Sequence, residues 1–381
     1  EKTFQWTKTD SSLLWEGYKN IFENTLPQLV KKYTPSTFYW PSSPSYGWGN
    51  DISYAEGDVH YWGVWWGKEP FEKYEEKIGR FNSEYGFQGM PSMASMKKFS
   101  VVEDWNIDSE VMDVHQKHPF GWDNIKEYMK RDYPEPQNFE QLIYLSQLMQ
   151  AEGIKIAIEA HRRAKPYCMG TLYWQLNDCW PVTSWSSVDY YGNWKALHYY
   201  VKKSYAKYLI SFKKKEESLH TYFISDDTSA MDIEFEWILE DLEGNTLHNS
   251  TTKMSIDANS SNIIDTPKEL LNSGFTDAIL TVKSSNSNGP LHESGIIFGS
   301  TKDMQIHNEK PQIEINKSDL GFTISLESSK LLKGIQISSS IEGFFSDNFF
   351  DLRAGESIQL HFNTHVEELK ESDLSFIYLR K

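Results

Sequence analysis

The sequence is short of cysteines and of cationic side chains, and both shortages limit what the protein can be. Its 381 residues include two cysteines, Cys168 and Cys179. That is too few for a disulfide framework, so we interpret both as free thiols. Lys and Arg number 38 against 54 Asp and Glu, a formal net charge of −16. A strongly negative chain without a basic stripe repels phosphate backbones, so nucleic-acid binding is not expected.

Long apolar runs and several common motifs are missing as well. No apolar run approaches the roughly 20 residues that span a bilayer, so no membrane partner is expected. The chain opens on a polar stretch without the features of a signal peptide, and we expect it to begin within a domain. The absence of a P-loop, a strand-linked Gly-x-Gly-x-x-Gly and a Gly-x-Ser-x-Gly elbow removes support for nucleotide enzymes and serine hydrolases.

Aromatic residues, in contrast, are abundant, at 15% of the chain with 14 Trp. Most of the Trp lie between Trp40 and Trp185, and many flank glycines, as in residues 46–49 and 63–67. Some must be ordinary core residues. Aromatic side chains in loops at strand ends also suit a pocket that stacks on a sugar ring, so the distribution favours carbohydrate binding.

Residues 1–207 alternate helical periodicity with short β-type runs, which is typical of α/β structure. A (β/α)8 TIM barrel needs eight strands and only four are predicted, so this region is interpreted as the second half of such a barrel. The first helix is predicted to begin at Asp10 or Ser11 and to end before Pro35. The predicted strands are residues 37–40, 58–62, 80–85 and 170–176, and further helices are predicted at 139–163 and 194–206.

After residue 208 the pattern changes to the period-two alternation of strands that are buried on one face. About 170 residues of this kind exceed one immunoglobulin-like module, so two β-sandwich domains are predicted, at 208–303 and 304–381. The predicted strands are residues 220–225, 233–239, 278–283, 295–298, 322–326, 334–338, 358–362 and 374–379.

Glu84 is the candidate catalytic residue because it ends a predicted barrel strand, where barrel active sites lie. The glycine that follows, Gly86, permits a sharp change of chain direction. Retaining hydrolysis of a glycosidic bond needs a carboxylate nucleophile and a carboxylic acid about 5 to 5.5 Å apart, and Glu84 fits the first role. The alternative is an exposed carboxylate at a strand end. No other strand end offers a glutamate, and Glu56 and Asp58 are the nearest alternatives for the acid.

Asp58 and His60 lie two residues apart on a strand and therefore face the same side. They are candidates for hydrogen bonds to sugar hydroxyls, and the alternative is a structural pair. A catalytic metal needs about three protein ligands, and no matching spacing recurs nearby, so no metal site is predicted.

Other titratable residues are assigned no chemistry. His115 and His118 are predicted to lie on the surface. Glu159 and His161 fall in the long helical pattern beside two arginines, where a solvated, ion-paired face is expected.

Several segments resemble β-mannosidases of glycoside hydrolase family 2. They include Gly-Asp-Val-His at residues 57–60 and Arg-Phe-Asn-Ser-Glu-Tyr-Gly-Phe-Gln at 80–88, which looks like the family's nucleophile strand. Residues 169–178, continuing through 185–190 and 194–199, are similar along their whole length. Residues 345–352, with Gly355 and Glu356, resemble the family's last β-sandwich domain.

The resemblance implies that Glu84 follows barrel strand seven, so that the four predicted strands are strands five to eight. The family's acid/base lies after strand four in an Asn-Glu pair, which the resemblance places before Glu1. Glu1 is not preceded by that Asn and is not expected to be the acid. The implied partner is the missing N-terminal half of the same polypeptide, and the fragment alone is expected to be inactive.

By the same resemblance, Trp174 forms part of the floor of the −1 sugar subsite, and Trp48 and Trp62 contribute walls. The sequence departs from the family at Trp66, where a Tyr near the nucleophile is common. A Trp has only an N–H donor to offer there. This departure puts in doubt how Glu84 is oriented.

The function implied is retaining hydrolysis of terminal, non-reducing β-D-mannose residues of oligosaccharides or glycoconjugates, without a metal or organic cofactor. One alternative is another family 2 exo-glycosidase, a β-glucosaminidase or β-galactosidase. A non-catalytic carbohydrate-binding fragment is the alternative from a different class. Family habit suggests a periplasmic, secreted or lysosomal location.

Overall fold

The computed structural model describes residues 6–215, 218–271, 276–299, 301–302, 304 and 309–379. Glu1, which is not expected to be the acid, lies outside these residues. Across the described ranges, no helix is long and apolar enough to cross a membrane. Cys168 is buried, Cys179 is exposed and both are free thiols, as predicted.

The region before residue 208 is mainly helical, with two short strands. In chain order its elements are α1 (Lys8–Lys19), a π-helical turn (Asn20–Thr25), α2 (Leu26–Tyr33), a 3-10 turn (Asp51–Tyr54), β1 (Val59–His60), α3 (Gly63–Trp66), a 3-10 turn (Phe71–Glu75), β2 (Asn82–Glu84), α4 (Met93–Met96), a 3-10 turn (Val102–Asp104), α5 (Glu110–Val114), α6 (Gly121–Asp132), α7 (Phe139–Arg163) and α8 (Ala196–Ser204).

The first helix begins a little earlier than predicted because Thr7 caps it. The Thr7 side chain accepts a hydrogen bond from the Asp10 backbone N–H, and the Asp10 carboxylate accepts one from the Thr7 N–H, which is a capping box. No residue of α1 or α2 is buried. The described part of the chain therefore leaves apolar residues of α1 uncovered. Leu13 and Trp15, for example, are more than half exposed.

A short parallel sheet follows. β1 pairs with β2 in parallel, and an isolated parallel bridge joins Asn82 to Thr171. The predicted strand at residues 37–40 is wrong, because that segment has no ladder partner in the described structure. Two strands and a bridge form a sheet but do not establish a barrel.

Helix α7 contributes much of the core of this region. It spans the residues predicted for it, 139–163. Its apolar face packs against residues that precede and follow β2 and against α8, in one cluster that includes Phe71, Phe87, Tyr128, Leu148 and Leu197. At Gly153 the packing is so close that an added Cβ would lie 2.2 Å from the Phe71 ring.

The region from residue 208 consists of β-strands arranged in two pairs of sheets. Every strand predicted there is present. In chain order the elements are β3 (Tyr208–Lys215), β4 (Ser218–Ser225), β5 (Met231–Asp241), β6 (Thr246–Ile256), β7 (Ser261–Ile263), α9 (Lys268–Leu271), β8 (Ala278–Asn286), β9 (Gly289–Phe298), β10 (Gln312–Ser318), β11 (Gly321–Glu327), β12 (Leu332–Ser339), β13 (Phe344–Phe345), β14 (Phe350–Leu352), β15 (Ser357–Asn363), a 3-10 turn (Glu371–Asp373) and β16 (Leu374–Ile377).

Each pair of sheets encloses its own apolar core, as β-sandwiches do. The sheets β3-β4-β7 and β6-β5-β8-β9 share a core around Phe223, Phe235 and Trp237. The sheets β10-β11-β15-β13 and β14-β12-β16 share another around Ile324 and Phe362. Two β-sandwiches are therefore present, and the domain limits at 208 and 304 stay predictions.

The last sandwich docks on α7 through a glycine in the left-handed region. Gly334, in β12, has φ of +67°, and its carbonyl accepts a hydrogen bond from the Tyr144 hydroxyl at 2.8 Å. A Cβ at this position would lie 2.7 Å from that hydroxyl and 3.0 Å from Leu148. Only glycine fits both the backbone conformation and the space.

We therefore predict that Gly334→Ala lowers the free energy of unfolding by roughly 3 kcal/mol, from backbone strain together with the clash. The matched control is Gly355→Ala, where φ is +73° but nothing lies within 4 Å of the added Cβ. It should cost only the backbone strain, about 1 kcal/mol. Urea unfolding of both variants measures the difference, and equal losses would show that the contact with α7 contributes nothing.

Candidate active site

The candidate site lies at the carboxyl-terminal edge of the short parallel sheet. The Tyr61 N–H donates to the Glu84 carbonyl at 2.9 Å, and the Trp174 N–H donates to the Tyr85 carbonyl at 2.8 Å. Three chain segments therefore end side by side, with β2 in the middle. The backbone pairing of these segments therefore places the predicted residues His60 and Glu84 at the same edge of the sheet.

One oxygen of Glu84 contacts the ring nitrogens of two neighbouring side chains. His60 Nδ1 lies 3.2 Å from Glu84 Oε2, and Trp62 Nε1 donates to the same oxygen at 3.3 Å. No described group pairs with Oε1, and the Glu84 side chain is 26% exposed. The carboxylate thus has one anchored oxygen and one that a substrate can reach.

Asp58 lies on the far side of the His60 ring. Its Oδ2 is 3.4 Å from His60 Nε2, and the same oxygen accepts hydrogen bonds from Ser43 Oγ at 2.5 Å and from Ser83 Oγ. Ser43 Oγ also lies 3.3 Å from His60 Nε2. Sequence reasoning named Asp58 and His60 as candidates but assigned no role to either serine, although Ser83 lies within the segment that resembles the nucleophile strand.

The predicted aromatic residues surround this edge to different degrees. Trp174 follows the third segment and is 42% exposed, and Trp62 contacts Glu84 directly. Trp48 lies against Gly67, where an added Cβ would be 3.1 Å from its ring. Trp66 is exposed and packs edge-on against His118, with centroids 4.4 Å apart. The indole that reaches Glu84 is therefore that of Trp62, whereas the described contacts of Trp66 lie elsewhere.

Gly86 is needed for close packing rather than for a change of direction. Its φ is not in the left-handed region, so the conformational reason expected from the sequence does not apply. An added Cβ would lie 2.2 Å from the Trp174 carbonyl oxygen and 3.1 Å from the Trp185 ring. The Trp185 ring packs edge-on against Trp62, with centroids 6.1 Å apart. A side chain at Gly86 would push these rings away from Glu84.

A buried histidine supports the strand from below. His161 Nδ1 and the Tyr85 hydroxyl both meet the Thr171 hydroxyl, at 2.8 and 2.6 Å, and the Tyr85 and His161 rings pack edge-on at 4.8 Å. Burial, with a smaller contribution from Arg163, lowers the pKa of His161 to about 3. The imidazole is therefore neutral beneath the residue next to Glu84.

Two expectations about surface residues are wrong. Glu159 and His161 are 6% and 2% exposed. Glu159 accepts a hydrogen bond from Ser211 in the first β-sandwich, whereas His161 packs against Tyr85 and Thr171 at the parallel sheet. His118 is also buried, at 6% exposed, and burial lowers its pKa. It packs among Trp65, Trp66 and Trp185 rather than facing solvent.

In the part of the chain that the structure describes, no group of three or more His, Cys, Asp or Glu side chains is arranged to hold a metal ion.

Comparison with known proteins shows what the chain is similar to. Residues 308–375 match a family model described as an Ig-fold domain, Ig_mannosidase. The chain is 32% identical over 250 residues to a β-mannosidase B of Aspergillus terreus, covering 63% of this chain and 28% of that protein. It is 36% identical over 206 residues to a β-mannosidase B of Aspergillus clavatus, covering 52% and 23%. The chain thus spans about a quarter of the length of these relatives.

Two solved structures are also similar to this chain. A β-D-mannosidase from Dictyoglomus thermophilum aligns with a TM-score of 0.84 at 26% identity, covering 95% of this chain and 45% of that one. An exo-chitosanase from Amycolatopsis orientalis aligns with a TM-score of 0.60 at 15% identity, covering 81% and 44%, which is a likeness of fold alone. The resemblance to family 2 β-mannosidases, and with it to glycosidases, is confirmed.

We predict that the buried His161 lowers the free energy of unfolding in acid. Its folded pKa of about 3 lies below the ordinary value of about 6.5, so the unfolded chain takes up a proton first as the pH falls. Stability present above pH 6.5 is therefore lost progressively towards pH 3. At pH 4.5 the loss attributable to His161 should be roughly 2 to 3 kcal/mol.

The measurement is urea unfolding between pH 7 and pH 4.5 for the unmodified chain and for His161→Gln, which cannot take up that proton. The variant should lose less stability over this range, by about the amount given. His365→Gln, at an exposed position, is the matched control and should follow the unmodified chain. If His161→Gln also follows it, the histidine does not titrate differently in the two states.

Proposed function

Because the chain is a portion of a β-mannosidase-type glycoside hydrolase of family 2, we propose that Glu84 is the nucleophile of a retaining exo-β-mannosidase. The enzyme would remove terminal, non-reducing β-D-mannose residues from oligosaccharides or glycoconjugates. The observation that carries this proposal is the state of the Glu84 carboxylate, with Oε2 held by His60 and Trp62 and Oε1 open. A nucleophile needs one free oxygen in a fixed direction.

The architecture proposed with it is the second half of a (β/α)8 barrel followed by two immunoglobulin-like domains. The parallel segments that end at His60, Glu84 and Trp174 are consistent with neighbouring barrel strands. Helix α7, which packs over β2, is consistent with a barrel helix. The uncovered apolar stripe of α1 and α2 fits a partner segment of the same polypeptide, which would also supply the acid/base glutamate.

The aromatic residues then define the sugar pocket. Trp174 is proposed as the floor under the mannose ring, and Trp48 and Trp66, both exposed, as further surfaces for it. Trp62 has a double role, since its ring faces Trp185 while its N–H reaches Glu84. Stacking on apolar ring faces needs no metal or organic cofactor, and none is proposed.

In the reaction, a Glu84 oxygen forms a bond to the anomeric carbon while the bond to the leaving oxygen breaks. The acid from the partner segment gives its proton to that oxygen. Water then attacks the anomeric carbon from the opposite face while the bond between that carbon and the Glu84 oxygen breaks. The former acid, now the base, takes the proton from the water, and the β configuration is restored.

The test is Glu84→Ala in the full-length protein, with p-nitrophenyl β-mannoside as substrate. Release of p-nitrophenol should fall on the order of 10⁴-fold or more, because the covalent step is lost. Azide is small enough to occupy the space left by the carboxylate, so adding it should restore release. The product should be the α-mannosyl azide, since azide attacks from the face that Glu84 used.

The matched control is Glu56→Ala, at the other glutamate considered above, which the structure places beside Tyr46. It should keep most of the activity. Parallel assays with the β-galactoside and β-glucosaminide separate the alternative specificities of the same family. Glu84 would not be the nucleophile if Glu84→Ala kept full activity. The same would follow if Glu56→Ala were the inactive variant and azide restored its activity. Sugar binding without turnover by the full-length protein would favour the carbohydrate-binding alternative.

A further inference from the structure

We propose that His60 is a positioning residue that makes the two oxygens of Glu84 inequivalent, so that Oε1 alone attacks the sugar. Asp58 acts through His60 and does not bind the sugar itself. This inference rests on the proposed function of Glu84, and it replaces the role in sugar binding that the sequence suggests for both residues.

The geometry around the carboxylate carries the first step. A carboxylate can only accept hydrogen bonds, so the nitrogen that faces Glu84, His60 Nδ1, carries a proton there. This N–H and the Trp62 N–H converge on Oε2 at 3.2 and 3.3 Å. A carboxyl group otherwise rotates about its last bond between two nearly equal positions. Two donors on a single oxygen remove that equality and stop the rotation.

The second step concerns what holds His60. Its Nε2 lies 3.4 Å from Asp58 Oδ2 and 3.3 Å from Ser43 Oγ, so both ring nitrogens have partners. Asp58 Oδ2 is itself fixed by the hydroxyls of Ser43 and Ser83. The His60 side chain is 17% exposed and that of Asp58 is 15% exposed. A sugar hydroxyl would have to displace an existing contact to reach either ring nitrogen of His60 or Oδ2 of Asp58.

The third step is chemical. In the glycosyl-enzyme ester, Oε1 is bonded to the anomeric carbon and Oε2 becomes the carbonyl oxygen. The Trp62 hydrogen bond and the His60 contact stay on Oε2 through bond formation and cleavage in this proposal, so Glu84 need not be reoriented between the two halves of the reaction. A group held in advance in the reacting direction accelerates the step without moving.

Two replacements of His60 in the full-length protein test the proposal. His60→Ala removes both contacts and should lower kcat/KM for p-nitrophenyl β-mannoside roughly 100-fold, the loss typical of a misplaced reacting group. His60→Asn keeps an N–H close to where Nδ1 stands and should recover most of that loss, to within about tenfold of the unmodified enzyme. Unchanged activity of His60→Ala, or no recovery in His60→Asn, would overturn the proposal.

A binding measurement separates positioning from sugar contact. In the inactive Glu84→Gln protein, the dissociation constant of the intact β-mannoside is measured with and without His60→Ala. Positioning predicts that the constant stays the same, because His60 does not touch the sugar. A direct sugar ligand predicts weaker binding by about the factor lost in kcat/KM, and that result would contradict the inference.

Asp58→Asn completes the design. It should lower kcat in the unmodified enzyme, and it should add no further loss to His60→Ala, because Asp58 acts only through His60. Additive losses would mean that Asp58 has an independent role and would overturn that part. The Glu84→Ala and azide experiment is run alongside. If Glu84→Ala keeps its activity or azide does not rescue it, the proposed function is wrong. If that experiment succeeds but His60→Ala is fully active, only the positioning role is wrong.

Discussion

The candidate site depends on one extra residue in a strand. In the parallel ladder, Val59 pairs with Asn82 but His60 pairs with Glu84, so Ser83 is inserted between the two pairs. Such a bulge changes the direction in which the following side chain points. Because of it, two neighbouring residues of β2 contact the same Asp58–His60 pair. Ser83 contacts Asp58, and Glu84 contacts His60. In a regular strand they would face opposite sides.

The support for this arrangement comes from buried polar contacts on the helix behind the sheet. The C-terminal turns of α7 bring Arg162 to Asp226 at 2.8 Å and Arg163 to Glu75 at 2.5 Å, and Arg163 also donates to Ser211 in the first sandwich. Unpaired, these buried charges would cost several kcal/mol each. Asp226 belongs to the first sandwich, so the charge of Arg162 requires the sandwich to be in place, whereas Glu75, the partner of Arg163, precedes β2. The sandwich therefore completes the environment of α7, and α7 carries His161 beneath Tyr85.

The sequence was sufficient to predict what depends on periodicity. Alternation located the sandwich strands, a helical pattern located α7, and the position of Glu84 at a strand end made it the candidate nucleophile. It was insufficient for what depends on contacts between distant segments. Residues 37–40 have strand-like composition but no ladder partner among the described residues. Glu159 and His161 have the composition of a solvated helix face, but Glu159 meets Ser211 of the first sandwich and His161 packs against Tyr85 of the sheet. The contacts of Ser43 and the bulge at Ser83 depend on segments brought together by the fold, so the residue type alone did not predict them.

The proposed mechanism separates two requirements of a retaining glycosidase. One is the direction of the nucleophile, which for Glu84 is set by strand register and by its contacts with His60 and Trp62. The other is the distance of about 5 to 5.5 Å between the two carboxyl groups, which whichever segment brings the acid must set. Under this proposal the acid segment has only to dock at the correct distance and need not also align Glu84.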